Sequence, residues 1–163
     1  MLVHILLSEG YTGVGIDVRQ RISWSHYPES TRSNLLVHGF NPTIDDFPPA
    51  IFKEGAFLIG NHADELTPWL PVLASLIPGA TYLSIPCCQW SLDQKFRRND
   101  ANLFPRLETA PREELEGRLG ETRKSAYGSY LCWLLRLGSE CGFVSEVEAL
   151  RLPSTRNYAI IGT

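Results

Sequence analysis

The sequence predicts an α/β fold with a mostly parallel sheet, for three reasons. Short apolar runs bounded by turn residues recur along the chain, and they have the length of buried strands. Segments with apolar residues at helical spacing stand between several of these runs. The last two runs follow each other with no helix between them, which predicts a closing antiparallel hairpin on the parallel sheet.

The first elements of the chain are short. Leu2–Ser8 is apolar and is soon followed by a glycine, which predicts the end of a helix. The run 13–17 closes on Asp17 and predicts a buried strand. Leu35–Val37 is a further candidate strand, and the prolines of 41–49 predict a loop.

The centre of the chain predicts two strands on either side of one helix. The runs 56–60 and 80–85 have the composition of buried strands. Between them, 66–77 has apolar residues at helical spacing. We expect Thr67 to cap this helix and Pro68 to lie in its first turn.

The rest of the chain predicts an insertion, two helices and the final strands. The polar segment 89–108 is expected to be a long insertion or loop. Helices are predicted at 111–119, which is short and charged, and at 125–137, which is strongly amphipathic. The last two strands are expected at 143–150 and 158–161.

Composition and charge are those of an ordinary globular protein. The 163 residues are 44% hydrophobic and 20% charged, which excludes disordered, collagen-like and coiled-coil chains. This length predicts one domain over 1–163. The formal net charge of −3 argues against a free-standing nucleic-acid binder that depends on charge, so DNA is not an expected partner. A local basic patch remains compatible with this charge.

The cysteines and the apolar runs predict an intracellular protein without a membrane segment. None of the four cysteines forms a CxxC pair, and two of them are adjacent, which is unlike a disulfide scaffold or a zinc knuckle. We therefore expect a cytoplasmic location. The apolar stretches are broken well short of the ~18 residues that a membrane helix needs.

Polar residues follow two of the predicted strands. Asp17 closes the strand 13–17, and ligands of open α/β sheets bind outside the carboxyl ends of strands. An acid there accepts the hydroxyls of a ribose, or it caps the next element. The strand that ends at Gly60 is followed by four polar residues of different chemistry: Asn61, His62, Asp64 and Glu65. Such a turn supplies an acceptor, a titratable imidazole and carboxylates to one cleft, with helix capping as the alternative.

A metal centre is not expected from the sequence. Adjacent cysteines such as Cys87 and Cys88 rarely bind one metal with good geometry, and the residues at 61–65 do not match a zinc-protease motif. After Pro86, the two cysteines are interpreted as small apolar residues, because nothing in the sequence supplies the base or the lowered pKa of a nucleophile.

Several basic residues are candidates for contacts with phosphate, and solvated loop charge is the alternative for each of them. They are Arg19, Arg21, Lys95, Arg97, Arg98 and Arg156. Arg156 lies in a dense polar connection at 151–157 between the last two predicted strands. The hydrogen-bonding capacity of that connection is high for a simple hairpin, so a role in a site and a purely structural role both remain open.

Five segments together resemble one family. They are LVHILLSEGY at 2–11, GVGIDVRQR with the following SW at 13–24, LIGNHADELTPW at 58–69, IPCC at 85–88 and LPSTRN at 152–157. The pattern resembles the eukaryotic tRNA (uracil-2′-O-)-methyltransferases that act on serine tRNA. The resemblance runs along almost the whole chain, although 28–55 and 90–120 match little.

The resemblance implies a class I, S-adenosylmethionine-dependent, Rossmann-like sheet of seven strands with a reversed last strand. It also implies S-adenosylmethionine as the cofactor and serine tRNA as the partner. In the family, a first strand and a glycine-rich cofactor loop lie immediately before the segment that begins here at Leu2. We therefore expect 1–163 to be an N-terminally truncated catalytic domain without that strand.

The resemblance also implies roles for the candidate residues. Asp17 takes the position of the ribose-binding acid. The loop from Asn61 to Glu65 takes the position at which the methyl donor and the acceptor meet. Pro86 and Cys87 flank the cofactor, together with Asn61.

The implied reaction is in-line attack of a ribose 2′-oxygen on the sulfonium methyl. His62 or Asp64 is expected to be the base, with Asn61 and Glu65 orienting the acceptor. Two alternatives remain open: a non-catalytic remnant that binds RNA or a protein partner, and a methyltransferase of the same fold with another substrate.

Overall fold

The computed structural model describes residues 1–41, 50–96, 107–108 and 113–163. Contacts divide the chain into two compact units, Met1–Phe47 and Pro48–Thr163. Most of the predicted loop at 41–49 and half of the predicted insertion at 89–108 lie outside the described residues. The single domain over 1–163 stays a prediction.

The first unit contains a small parallel sheet and short helices. Its elements are α1 (Leu2–Ser8), β1 (Gly15–Asp17), a 3-10 helix (Ile22–His26), α2 (Glu29–Arg32) and β2 (Leu35–Val37). The two strands pair in parallel, with Asp17 opposite Val37. The predicted helix end and both predicted strands are therefore present. The strand predicted as buried at 13–17 is shorter than expected, since it begins at Gly15, and its residues are half-buried.

Helix α1 ends where the glycine signal predicts. Gly10 has a φ of +86°, the left-handed conformation that glycine adopts without a steric penalty. Its amide donates to the Leu7 carbonyl at 3.2 Å. The Tyr11 amide donates to the Leu6 carbonyl at 3.0 Å. These two bonds form a Schellman motif, which satisfies carbonyls that the helix leaves without partners.

The second unit contains a mixed four-stranded sheet. Its elements are β3 (Phe57–Asn61), α3 (Trp69–Ser75), β4 (Thr81–Ile85), α4 (Glu113–Gly117), α5 (Ala126–Glu140), β5 (Ser145–Ala149) and β6 (Tyr158–Gly162). The strand order is β3-β4-β6-β5, with β3 and β4 parallel and β6 antiparallel to both neighbours. The α/β class and the closing hairpin are confirmed, whereas a missing first strand stays a prediction.

Residue patterns explain why β6, and not β5, lies inside the sheet. On β5, Ser145 and Val147 are buried, whereas Glu146 and Glu148 are exposed. One apolar face and one charged face suit an edge strand, because the charge discourages pairing with another chain. On β6, the neighbouring residues Ala159 and Ile160 are both buried, as expected of a strand that is covered on both faces.

The core of the second unit is organised by α5. Tyr130 and Leu131 of this helix are fully buried, as is Tyr82 on β4. Gly138 lets the helix approach the sheet closely, because a Cβ there would lie 2.5 Å from the Tyr82 hydroxyl oxygen. The predicted amphipathic helix at 125–137 therefore corresponds to the element that covers the sheet.

The prediction that Thr67 caps the central helix is wrong. Helix α3 has Pro68 at its N-cap, without a side-chain hydrogen bond. The Thr67 hydroxyl is buried and has no hydrogen-bond partner among the described residues. The cause is a 3-10 turn at Asp64–Leu66 that runs directly into the helix. Thr67 is already helical, with φ −51° and ψ −51°, whereas a capping residue needs an extended backbone.

Substitution of Gly128 by alanine is expected to destabilise the chain by about 1–3 kcal/mol, the usual range for overpacking. A Cβ at Gly128 would lie 1.9 Å from the Thr122 carbonyl oxygen, and backbone cannot move aside as a side chain does. The matched control is Gly117→Ala, because Gly117 is also helical and no atom would lie within 4 Å of its Cβ. Urea unfolding measures both variants, and equal stabilities would contradict this packing.

Candidate active site

The carboxyl ends of β3 and β4 lie side by side, because the strands are parallel and pair with Asn61 opposite Ile85. The loop 61–65 follows β3 and the turn 86–88 follows β4. Since β6 runs antiparallel to β4, the connection 151–157 enters the sheet at the same edge. We call these three segments the polar edge. The structure thus brings together residues that the sequence proposes separately.

Two residues of the loop 61–65 have a left-handed backbone. His62 has a φ of 55° and Asp64 a φ of 47°, and they are the only non-glycine residues with positive φ in the described part of the chain. Such residues cost about 1–3 kcal/mol each and concentrate at functional sites. Histidine and aspartate are among the side chains that tolerate this conformation best.

Side-chain capping does not account for the polar residues of this loop. The 3-10 turn begins after Ala63 and α3 after Pro68, and neither start receives a side-chain hydrogen bond. Asn61, His62 and Glu65 are exposed, and their side chains make no hydrogen bond to any described residue. An amide, an imidazole and a carboxylate are therefore available to a ligand.

Asp64 and Cys87 connect the two strand ends. The Cys87 thiol donates a hydrogen bond to Asp64 Oδ1 at 3.2 Å. Burial, followed by the contacts with Asp64 and Cys88, raises the pKa of Cys87 to about 12. The thiol is therefore protonated near neutral pH, which agrees with the prediction that it is not a nucleophile.

Tyr127 and Arg156 extend the polar edge. Tyr127, in the first turn of α5, donates its hydroxyl proton to the Pro86 carbonyl at 2.9 Å. Burial raises the pKa of Tyr127 to about 12, so the phenol remains a donor. The Arg156 guanidinium lies 5.4 Å from the centroid of the Tyr127 ring, a cation–π contact. The structure thereby places Arg156 next to the turn that carries Cys87.

Sequence reasoning misses Tyr127 as a site residue, because it lies within the amphipathic helix predicted at 125–137. Its helical spacing identifies it as an inward-facing side chain, and it is indeed buried. Its contact with Pro86 spans 41 positions of the chain. Local periodicity contains no signal for a contact of that range.

Asp17 lies at the carboxyl end of β1 in the first unit. Its Oδ1 accepts the Arg19 amide at 3.0 Å, and its Oδ2 accepts Arg21 Nε at 2.7 Å. The Arg21 bond holds the pKa of Asp17 below its ordinary value of 3.8, so the carboxylate is ionised at neutral pH. A carboxylate has about four acceptor positions, and the two that remain fit the paired hydroxyls of a ribose. No side chain caps the next helix, so the capping alternative for Asp17 is not supported.

The other basic candidates differ in their availability. Arg19 is exposed, whereas Arg21 is paired with Asp17. Lys95 is exposed and lies with its Nζ 5.9 Å from the centroid of the Trp90 ring. Arg97 and Arg98 lie outside the described residues.

Comparison with known families supports the resemblance. Residues 1–42 match a family described as "Predicted AdoMet-dependent methyltransferase". The tRNA (uracil-O(2)-)-methyltransferase of Schizosaccharomyces pombe is 39% identical over 99% of this chain and 34% of that protein. The chain is related to the tRNA (uracil-O(2)-)-methyltransferases. The resemblance to tRNA (uracil-2′-O-)-methyltransferases that the motifs predict is confirmed, and the cofactor of the matched family is S-adenosylmethionine.

Other relatives show the same coverage. The probable tRNA (uracil-O(2)-)-methyltransferase of Drosophila melanogaster is 36% identical over 99% of this chain and 26% of that protein. The probable enzyme of Homo sapiens is 32% identical over 99% of this chain and 18% of that protein. The chain thus spans about a third or less of the length of these curated relatives.

No solved structure matches the chain. Among the described residues, no helix has the length and apolar character to cross a membrane.

Alkylation of Cys87 is expected to be slow at neutral pH and to accelerate only well above pH 9. Because the pKa of Cys87 is about 12, its thiolate forms at higher pH than that of a free thiol, whose pKa is about 8.5. Asp64→Asn removes the neighbouring negative charge and is expected to accelerate the reaction. Mass spectrometry of the 87-containing peptide after iodoacetamide pulses measures both. A free-thiol pH profile in the unsubstituted chain would contradict this environment.

Proposed function

We propose that this chain carries methyl-transfer machinery of a tRNA (uracil-O(2)-)-methyltransferase, which transfers a methyl from S-adenosylmethionine to the ribose 2′-hydroxyl of a uridine. We propose serine tRNA as the substrate, on the strength of the motif resemblance. The observation that carries the proposal is the loop 61–65, which holds uncommitted polar side chains at strand carboxyl ends. The similarity to tRNA methyltransferases, which extends over 99% of the chain, favours methyl transfer as the reaction at that loop.

The proposed cofactor residues are compatible with S-adenosylmethionine. Asp17 offers an ionised carboxylate with two acceptor positions left for a ribose. Asn61 offers an exposed amide, and Cys87 offers a partly buried, uncharged thiol. The Pro86 side chain is fully buried, so the part of Pro86 is to shape this turn. S-adenosylmethionine, when bound, supplies a methyl group on a positively charged sulfur. Loss of the methyl group leaves that sulfur as a neutral thioether.

The 2′-hydroxyl has to lose its proton as its oxygen bonds to the methyl carbon, and His62 or Asp64 accepts that proton. Asp64 is already engaged by the Cys87 thiol, whereas the His62 ring has no hydrogen-bond partner among the described residues. This difference favours His62. Such a base contributes ~10²–10⁴-fold to the rate. Asn61 and Glu65 orient the acceptor, since both are exposed on the same loop.

The RNA has to be held by local positive charge, since the formal net charge is −3. We assign a phosphate contact to Arg156, because the Tyr127 ring holds its guanidinium at the polar edge. Arg19, Arg21, Lys95, Arg97 and Arg98 are further candidates. A cytoplasmic location is part of the proposal, supported by four cysteines that are all free.

Two measurements test this function. Calorimetric titration of the chain with S-adenosylmethionine is expected to show one site in the micromolar range. Methyl transfer is then measured on a serine tRNA transcript and on transcripts of other tRNAs. Binding without transfer favours a role in RNA or partner binding, and transfer to other acceptors only favours another substrate. Absence of binding contradicts the proposed cofactor site.

His62→Ala is expected to lower turnover by ~10²–10⁴-fold without changing the affinity for S-adenosylmethionine, because the 2′-hydroxyl loses its proton acceptor. The matched control is His26→Ala, which removes an exposed imidazole outside the polar edge and leaves turnover unchanged. Single-turnover transfer of labelled methyl measures both. Full turnover of His62→Ala removes His62 from this role, and Asp64→Ala then tests the other candidate.

Asp17→Asn is expected to weaken S-adenosylmethionine binding by about 10–150-fold, the range for a hydrogen bond to a charged group. Glu29→Gln is the control, because Glu29 is an exposed, ion-paired acid of the same unit. Since the pKa of Asp17 is lowered, its charge persists above its ordinary pKa of 3.8 and is lost only as the pH falls below it. The contribution of Asp17 to affinity is therefore constant between about pH 5 and 8. Titrations at several pH values check this, and equal affinities of the two variants would exclude Asp17.

A further inference from the structure

Three metal-ligating side chains converge at the polar edge. One ligand atom each of Asp64, Cys87 and Cys88 lies within 4.8 Å of the other two. Cys87 Sγ and Asp64 Oδ1 are 3.2 Å apart. The group combines two thiols and a carboxylate, which come from two different strand ends.

We propose that Asp64, Cys87 and Cys88 form a binding site for a divalent cation of the zinc class. Zinc takes thiolate and carboxylate ligands, with Zn–S bonds of about 2.3 Å, which place two tetrahedral ligand sulfurs about 3.8 Å apart. The three ligand atoms lie within 4.8 Å of one another, at most about 1 Å beyond this value. Small side-chain rotations therefore suffice to close the site. Two soft sulfurs make magnesium or calcium poor occupants.

The backbone explains how adjacent cysteines serve one site. In an extended strand, successive side chains point to opposite faces, which is why the sequence argues against a shared metal. Here β4 ends at Ile85, and the chain bends at Cys88. The alternation of a strand therefore no longer applies to these cysteines, and both sulfurs lie within 4.8 Å of the Asp64 ligand atom.

The site has three protein ligands and is open to solvent. Asp64 is exposed, and both cysteines are partly buried. Three ligands leave a fourth tetrahedral position for water or a substrate atom. Metal binding displaces the thiol protons of the two cysteines into solvent. The bound metal also links the loop after β3 to the turn after β4. When Asp64 binds the metal, His62 is the one of the two candidate bases that can still accept the proton of the 2′-hydroxyl. The proposed metal site is independent of whether the chain transfers methyl groups.

Cobalt(II) titration of the metal-free chain tests the site, because a thiolate ligand gives cobalt a charge-transfer absorption in the near ultraviolet. We expect one equivalent to bind with this absorption and zinc to displace it. Cys87→Ser and Cys88→Ser are each expected to weaken binding at least tenfold, and Asp64→Asn likewise. Cys141→Ser is the matched control, since Cys141 is a partly buried cysteine outside the cluster, and it retains full binding.

A second readout separates binding from misfolding. Zinc is expected to raise the thermal midpoint of the unsubstituted chain and of Cys141→Ser, because a ligand of the native state stabilises it. The Cys87→Ser chain is expected to unfold cooperatively with a midpoint that zinc does not move. Absence of thiolate-to-cobalt absorption, or an equal response of Cys87→Ser and the unsubstituted chain, overturns the proposal.

Discussion

Strands β3 and β4 pair in parallel with Asn61 opposite Ile85, and this register places the loop 61–65 beside the turn 86–88. A shift of one residue would turn the buried Leu58 and Gly60 to the other face of the sheet. It would also move Asp64 away from Cys87. On the core side, α5 packs closely against β4, because a Cβ at Gly138 would lie 2.5 Å from the Tyr82 hydroxyl oxygen.

The same packing sustains the strained backbone of the loop 61–65. On one side the loop is anchored by β3, which is hydrogen-bonded to β4 along its length. On the other side it is anchored by α3, whose Leu73 and Ala74 are buried. Local strain of about 1–3 kcal/mol per residue persists only where the surroundings enforce it. The strained turn thus presents the side chains of Asn61, His62 and Glu65, which make no hydrogen bond to any described residue.

Much of the fold is predictable from the sequence, because apolar runs such as 80–85 report burial directly. The convergence of the polar segments is also predictable, since parallel strands share one carboxyl edge. Contacts between distant residues are not: Asp64 and Cys87 are 23 positions apart. Thr67 shows a further limit, since a run of polar and proline residues looks like a capped helix start whether or not a 3-10 turn precedes it. Only tertiary geometry decides these cases.

Hydrogen–deuterium exchange with and without S-adenosylmethionine tests most directly whether the polar edge is the site of methyl transfer. We expect slower exchange at 61–65 and 86–88 when the cofactor is present. The segment 142–145 serves as the internal reference, because Ser145 pairs with Gly162 at the opposite edge of the sheet, and its exchange is expected to stay unchanged. Unchanged exchange at 61–65 and 86–88, or equal slowing at both edges, would contradict the account.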